Sequence, residues 1–285
     1  MTPLDAHALL KQYDLRPSKG LGQNFLVNQS ALTNIVTAAE LTHDDTVLEI
    51  GAGLGTLTER LAQAAGRVIA VEIDERMVGV LRDTLSGFDN VTLIQGDILS
   101  FDPTDLVKTA AGQPTTHYKV VANLPYYITS AALRHLLEAR TRPCRMVVTV
   151  QREVAERIVA QPGEMSVLSV SVQFYGRPQV LFRIKPGSFY PAPGVESAVV
   201  RVDTHDTPPV DVEDTDAFFR VVKAGFAQRR KQLRNTLASG LHLPPEDVAS
   251  KLQQAGIDPR RRAQALSLEE WARVTRALAP STLRA

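Results

Sequence analysis

From about Val47 the chain alternates short β-branched runs with amphipathic stretches. Val47–Ile50, Val68–Glu72, Val91–Gln95, Tyr118–Ala122 and Arg145–Val150 have the length and composition of strands. Between them, Leu57–Ala64, Glu75–Leu85 and Ser130–Ala139 carry apolar side chains at helical spacing. This rhythm predicts βαβ units, and hence a parallel sheet with helices on both faces. After Gly163 the spacing shortens. Val167–Phe174, Gln179–Ile184 and Ala198–Asp203 are expected as strands, separated by turn signals at Gly176–Pro178 and Pro186–Gly194. Two of them are expected to close the sheet as an antiparallel pair.

The segment His205–Asp214 carries Pro208, Pro209 and four acids, which marks a linker. Everything beyond it reads as helix. Phe218, Val222, Phe226, Leu233 and Leu237 form one apolar stripe, and Lys223, Arg230 and Arg234 a basic one beside it. Further helices are expected over Glu246–Ala255 and Ser267–Leu278, the second opened by Ser267 and Glu270 at capping-box spacing. The predicted organisation is a first domain over 1–204, a linker over 205–213 and a small all-α domain over 214–285.

Composition narrows the function classes. With Cys144 as the one cysteine among 285 residues there is neither a disulfide framework nor a CxxC metal site. The six histidines are scattered without ligand spacing, so no metal is expected. Cys144, beside Pro143 at the start of a Val-rich run, is expected as a small core residue rather than a nucleophile. The opening MTPLDAHALLKQ lacks a basic then apolar signal pattern, and no apolar run reaches membrane-spanning length. A soluble protein of a reducing compartment, the cytoplasm, is the expectation. The net charge of +1 hides an asymmetry: residues 214–285 hold 13 Lys and Arg against 7 Asp and Glu, the rest 19 against 24. A basic tail on a mildly acidic body suggests a polyanionic partner.

Candidate chemistry gathers at the predicted strand ends. The first strand runs into Glu49-Ile-Gly-Ala-Gly-Leu-Gly55, whose Gly51, Gly53 and Gly55 let the backbone turn tightly at a helix N-terminus. Thr56 stands where a dinucleotide fingerprint needs Gly or Ala, so a pyrophosphate ligand is disfavoured. Glu72 ends the second strand and Asp97 follows the third. In an open doubly wound sheet these ends face one crevice. There a carboxylate can bridge the two hydroxyls of a ribose, and a second can accept from an adenine amine. An adenosyl group without pyrophosphate points to S-adenosyl-L-methionine. The fourth strand ends in Asn123-Leu-Pro-Tyr126. An adenine N6 is a poor nucleophile because its lone pair is delocalised into the ring. Two acceptors that hold its hydrogens tetrahedrally, Asn123 Oδ1 and the Leu124 carbonyl, restore its reactivity, while Pro125 fixes the turn and Tyr126 offers a ring for base stacking.

With these motifs the chain resembles the ribosomal RNA adenine dimethyltransferases over nearly its whole length, most closely the branch that dimethylates two adjacent adenosines near the 3′ end of small-subunit RNA. Lys19-Gly-Leu-Gly-Gln-Asn-Phe-Leu26 is similar to the family's N-terminal motif, Phe189-Tyr-Pro-Ala-Pro-Gly-Val-Glu-Ser197 to its second aromatic motif, and Phe226–Asn235 to its helical RNA-seating segment. The resemblance implies a Rossmann-like class I methyltransferase sheet with an antiparallel strand at its end, followed by a small all-α C-terminal domain. It implies that Asn24, Leu26, Gly51, Gly53, Glu72, Asp97 and Asn123 contact S-adenosyl-L-methionine, with Phe25 lining the same pocket. It further implies that Phe189 sandwiches the target base against Tyr126, and that Arg229, Arg230, Lys231 and Arg234 hold RNA. The implied partner is small-subunit rRNA or the assembling 30S subunit, met by a monomer away from any membrane. Two other readings stay open at this point: a large-subunit rRNA dimethyltransferase conferring macrolide resistance, and a non-catalytic nucleic-acid-binding relative.

Overall fold

The computed structural model describes residues 4–18, 20–111 and 117–278; Lys19 of the N-terminal motif lies outside them. The chain opens with α1 (Ala6–Gln12), β1 (Phe25–Leu26) and α2 (Gln29–Ala39). The alternating region follows as β2 (Thr46–Ile50), α3 (Thr56–Ala64), β3 (Arg67–Glu72), α4 (Glu75–Thr84) and β4 (Val91–Gln95). It continues through α5 (Pro103–Ala111), β5 (Lys119–Asn123), α6 (Thr129–Leu137), β6 (Arg145–Gln151) and α7 (Arg152–Ile158). Next come α8 (Val167–Tyr175), β7 (Gly176–Ile184), β8 (Phe189–Tyr190) and β9 (Ser197–Thr204). The last elements are α9 (Thr215–Phe226), α10 (Leu233–Leu241), α11 (Pro245–Gln254) and α12 (Leu268–Leu278).

Two compact units emerge. The described residues up to Ala155, together with Arg177–Thr204, form the first; Glu156–Gly176 and the chain from His205 form the second. Glu156–Gly176, expected in the first domain because it precedes the linker, thus packs with the second unit.

The first unit is built on a seven-stranded sheet of order β4-β3-β2-β5-β6-β9-β7. Pairings from β4 to β6 are parallel, and β9 runs antiparallel to β6. The expected mostly parallel α/β sheet with an antiparallel strand near its end is therefore present. Its strands are apolar because helices cover them: Val47, Leu48, Val120, Val121, Val147 and Val148 are fully buried. Helices α2 and α3 contribute Leu32, Ile35, Leu57 and Leu61 to the same core. The chain fills β2, β3 and β4 outward in one direction, then returns to place β5 on the other side of β2. This reversal opens a crevice beyond the carboxyl ends of β2 and β5. A separate two-stranded ladder joins β1 to β8, pairing Phe25 with Tyr190 and Leu26 with Phe189.

In the second unit, Phe174 stacks on Phe218 with ring centroids 4.9 Å apart, and Tyr175 stacks on Phe219 at 5.7 Å. Gly225 of α9 leaves room for the fully buried Trp271 of α12, since an added Cβ would collide with the indole ring. The Ser267–Glu270 capping box forms: Glu270 N–H donates to Ser267 Oγ at 3.2 Å, and Ser267 N–H to Glu270 Oε2 at 2.9 Å.

Three expectations are corrected. Val167–Phe174 is helix, not strand. Its Ser169-Val-Ser-Val172 alternation mimics a period of two, but Ser169 and Ser171 are buried along with Val170 and Val172, and a Ser166–Ser169 capping box starts the helix. The basic stripe is not on one continuous helix: Lys223 is on α9, which stops at Phe226, Arg229, Arg230 and Lys231 sit on the turn before α10, and Arg234 is on α10. Cys144 is exposed, its thiol donating to the Tyr118 carbonyl at 3.3 Å. It precedes β6, at the opposite end of the sheet from the crevice.

Candidate active site

The crevice is an open cleft whose empty space, counting the solvent at its mouth, is about 930 Å³. Its lining includes Asn24, Leu26, Gly51, Gly53, Glu72, Asp97, Asn123, Leu124, Pro125 and Tyr126, so the separate strand-end motifs of the sequence meet in one place.

The glycine loop makes that approach possible. Gly51 has a φ of +74°, and a Cβ there would stand 3.4 Å from Pro125 Cδ. Its bare backbone thus lets the loop after β2 pack on the turn after β5. Gly53 has a φ of +58° and would place a Cβ 3.0 Å from the ring of Phe25, which covers the loop from β1.

The acids follow. Glu72, at the end of β3, accepts from Gly53 N–H at 2.7 Å and from Asp74 N–H at 2.8 Å. Burial holds its carboxyl above the ordinary value, against the pull of those N–H donors. Asp97 combines two placements: it lines the cleft, and its Oδ1 caps the short helical turn that follows by accepting from Leu99 N–H at 3.0 Å. Each acid is followed by an apolar wall residue, Ile73 and Ile98.

Asn123 is oriented by its surroundings. Its Nδ2 donates to the Asn24 carbonyl at 3.0 Å, which leaves Oδ1 as an acceptor unclaimed among the described residues. Asn24 is itself held by an Nδ2 bond to the Gly22 carbonyl at 3.0 Å. Leu124 N–H donates to the Thr149 carbonyl at 3.2 Å, which ties the turn to β6. Pro125 has no N–H, and the next turn forms through Ile128 N–H donating to the Pro125 carbonyl at 3.2 Å. Tyr126 is anchored at its far end, its hydroxyl 2.7 Å from Ser197 Oγ. Leu26 is buried, and its carbonyl accepts from Thr56 Oγ1 at 3.4 Å.

Phe189 is not brought to the cleft wall. It is 3% exposed and packs in the core with Leu32, Ile35 and Val199, because the β8–β1 ladder turns it inward and Tyr190 outward. From the same motif it is the buried Ser197 that touches a cleft residue, through its bond to Tyr126. The four basic residues Arg229, Arg230, Lys231 and Arg234 belong to the second unit. All are exposed, and none has an ion pair among the described residues.

Four residues escaped the sequence reading. Glu49 lines the cleft at 1% exposure, and burial pushes its carboxyl up to about 8. Its Oε2 has no hydrogen-bond partner among the described residues. A lone acid inside the apolar run Thr46-Val-Leu-Glu-Ile50 was its signal. Gln23 donates to Asp74 Oδ2 at 2.9 Å and accepts from Ser18 N–H at 2.7 Å, linking the N-terminal loop to the Glu72 turn. Ser197 and Tyr127 carried no pattern that distinguished them.

The donor set has a definite chemical character. Glu49, Glu72 and Asp97 line the cleft, and no Lys, Arg or His is among its described lining residues. Such a wall, acidic and without a described basic residue, suits a hydroxyl-bearing ligand better than a pyrophosphate, Glu49 itself staying protonated near neutral pH. Among the described residues no group of His, Cys, Asp and Glu could hold a metal ion, and no helix is long and apolar enough to cross a membrane.

A family model described as ribosomal RNA adenine dimethylase matches residues 16–279. The chain belongs to that family. Membership makes it an rRNA adenine dimethyltransferase. Relatives within the family include proteins called ribosomal RNA small subunit methyltransferase A. The one from Dehalococcoides mccartyi strain BAV1 is 47% identical over 93% of this chain and 90% of its own. That from Moorella thermoacetica is 47% identical over 97% and 98%. Among solved structures, the 23S rRNA methyltransferase ErmE superposes with a TM-score of 0.69 and 28% identity, covering 90% of this chain and 99% of ErmE. A dimethyladenosine transferase from Plasmodium falciparum shares the fold at a TM-score of 0.70 and 23% identity, over 88% of this chain and 95% of its own.

Proposed function

We propose that this family member dimethylates the N6 amines of two adjacent adenosines near the 3′ end of small-subunit (16S) rRNA, with S-adenosyl-L-methionine as donor, during small-subunit biogenesis in the cytoplasm. The observation that carries the reading is the Asn123–Asn24 bond. With Nδ2 engaged at 3.0 Å, Asn123 Oδ1 is left to accept a hydrogen from a substrate amine. The Leu124 carbonyl takes the other hydrogen, and the pair holds N6 towards tetrahedral geometry. No strong general base is required, since the alkylated nitrogen sheds its proton readily. Once one methyl is in place a single N6 hydrogen remains, so one of the two acceptors suffices for the second transfer. Tyr126, fixed through Ser197, stacks on the base after it leaves its helix. Phe189 as a second stacking face rests on the resemblance, and its ring must leave the core to serve.

The donor supplies a methyl group on a positively charged sulfur. Glu72 would hold its ribose, and Asp97, through the oxygen not used for capping, its adenine amine, with Ile73 and Ile98 offering apolar surface to the ring. Asn24, Leu26, Gly51 and Gly53 complete that pocket. Residues 1–204 would act as the catalytic domain, 205–213 as a linker and 214–285 as the part that seats the RNA, with Arg229, Arg230, Lys231 and Arg234 on phosphates. The small-subunit target is supported by relatives of that name at 47% identity, against 28% for the large-subunit enzyme ErmE. The protein is proposed to act as a monomer on the assembling subunit.

The test is to incubate the pure protein with radiolabelled S-adenosyl-L-methionine and, separately, undermethylated small subunits, large-subunit RNA and duplex DNA. Dimethyladenosine from small subunits alone is expected. Label in large-subunit RNA instead would move the protein to the resistance branch, and no label with cofactor still bound would leave a binding role.

A further inference from the structure

Large apolar side chains that stay in water call for a reason, and two of the four most exposed, Ile73 at 43% and Tyr127 at 58%, line this one cleft. Tyr127 follows the reaction motif directly, on the helical turn Tyr126–Ile128. Tyr126 points its hydroxyl to Ser197, whereas the Tyr127 hydroxyl has no hydrogen-bond partner among the described residues. Its ring reaches across the cleft to the N-terminal loop. A Cβ built on Gly22 would stand 3.3 Å from Tyr127 Cδ1. Gly22 has a φ of +59°, so both its conformation and its missing side chain make room for the ring. The phenol also lies near the acid end of the cleft. Partial burial, then the charges of Asp97 and Glu72, hold it above the ordinary tyrosine value.

We infer that Tyr127 is a cofactor-binding residue whose ring, seated on Gly22, covers the adenosyl end of the bound methyl donor. This rests on the methyl-donor reading above. The alternative occupant of the ring is an RNA base beside the target. The acid end is favoured because the ring sits against Gly22 and shares the cleft with Glu72 and Asp97, the two carboxylates assigned to ribose and adenine, while Tyr126 is assigned to the target base.

The test measures dissociation constants of S-adenosyl-L-methionine and of S-adenosyl-L-homocysteine by calorimetry, and of a small-subunit RNA fragment by filter binding without cofactor. The full-length wild type, Tyr127→Phe, Tyr127→Ala, Gly22→Ala and the double variant are compared, each with a melting curve taken without ligand. Tyr127→Ala is expected to weaken both cofactor forms about tenfold with RNA affinity unchanged, and Tyr127→Phe to stay within about twofold of wild type. Gly22→Ala, which displaces the ring, is expected to weaken cofactor binding less in the Tyr127→Ala background than alone. Tyr127→Asn provides a second truncation should the alanine variant not fold. Unchanged cofactor affinity in folded Tyr127→Ala overturns the inference, and if RNA affinity falls instead the ring belongs to the RNA. A wild type that binds neither cofactor form overturns the methyl-donor reading itself.

Discussion

Asn123 Nδ2 and the Asn24 carbonyl are joined by a 3.0 Å hydrogen bond across 99 residues of sequence. The bond decides which way the Asn123 amide faces, and so converts a side chain able to donate or accept into a directed acceptor. Asn123→Ala is expected to cut methyl transfer by more than about 100-fold in kcat while shifting cofactor affinity by less than about threefold. Asn123→Asp removes the donor that faces Asn24 and sets a carboxylate against that carbonyl, so it is expected to lose transfer too. Single-turnover assays beside calorimetric titration separate the two quantities. Full transfer by the alanine variant would remove Asn123 from the reaction.

Tyr126 is a stacking platform only while its ring stays in place, and Ser197 holds its hydroxyl at 2.7 Å. Truncation by Tyr126→Ala removes a stacking partner worth about 1–3 kcal/mol, an expected loss of about 5- to 150-fold in kcat/KM. Ser197→Ala and Tyr126→Phe, which keep the ring and break the tether, are expected to cost less than about tenfold each. Their double variant should cost no more than the larger single effect, because both remove the same bond. A double variant showing the full sum of the losses would mean that the tether is not what the two residues share.

Glu49 makes stability depend on pH. Burial raises its carboxyl from an ordinary 4.5 to about 8 in the folded chain. An acid that binds its proton more tightly when folded lends stability that is complete below about 4.5 and drains away as the pH rises towards 8. Glu49→Gln removes this dependence. Without ligand, the melting temperature of the glutamine variant is expected to match wild type near pH 5 and to exceed it by about 5 °C or more at pH 8. Equal melting temperatures at both pH values would show that the carboxyl is not held protonated.

The basic turn offers a clean separation of functions. Arg229, Arg230, Lys231 and Arg234 are exposed, and none lines the cleft. Replacing all four by Gln is expected to weaken RNA binding at low salt and to lower the slope of log affinity against log salt by about 3–4. Cofactor affinity should stay at the wild-type value. A salt slope equal to wild type would remove these residues from the RNA contact.

Much of this architecture can be read from one sequence because its causes are local. The strands β2 to β6 are apolar runs bounded by turns, the glycine loop needs positive φ, and Glu72, Asp97 and Asn123 stand at strand ends that topology brings to one crevice. What escaped depended on distant neighbours. The Val-Ser-Val alternation of α8 reads as strand until the aromatic cluster around Phe174 and Phe218 buries both faces. Ser197 acquires its place beside Tyr126 only through the antiparallel β9, and Phe189 goes inward because of its pairing with β1. Gly22 and Tyr127 meet across a span of sequence that no local periodicity links.

The ladder between β1 and β8 has a consequence for how the molecule is made. Every assigned cofactor contact has been synthesised once Tyr127 has been added, yet the segment bearing Asn24 leads into a strand whose partners among the described residues are Phe189 and Tyr190. The tether for Tyr126 comes later still, at Ser197. A nascent chain therefore carries the parts of the pocket long before it has the pocket, and the wall facing Asn123 sets only when the last strands of the sheet arrive. Synthesis order thus withholds a finished site from every chain that stops short of the end of the first unit.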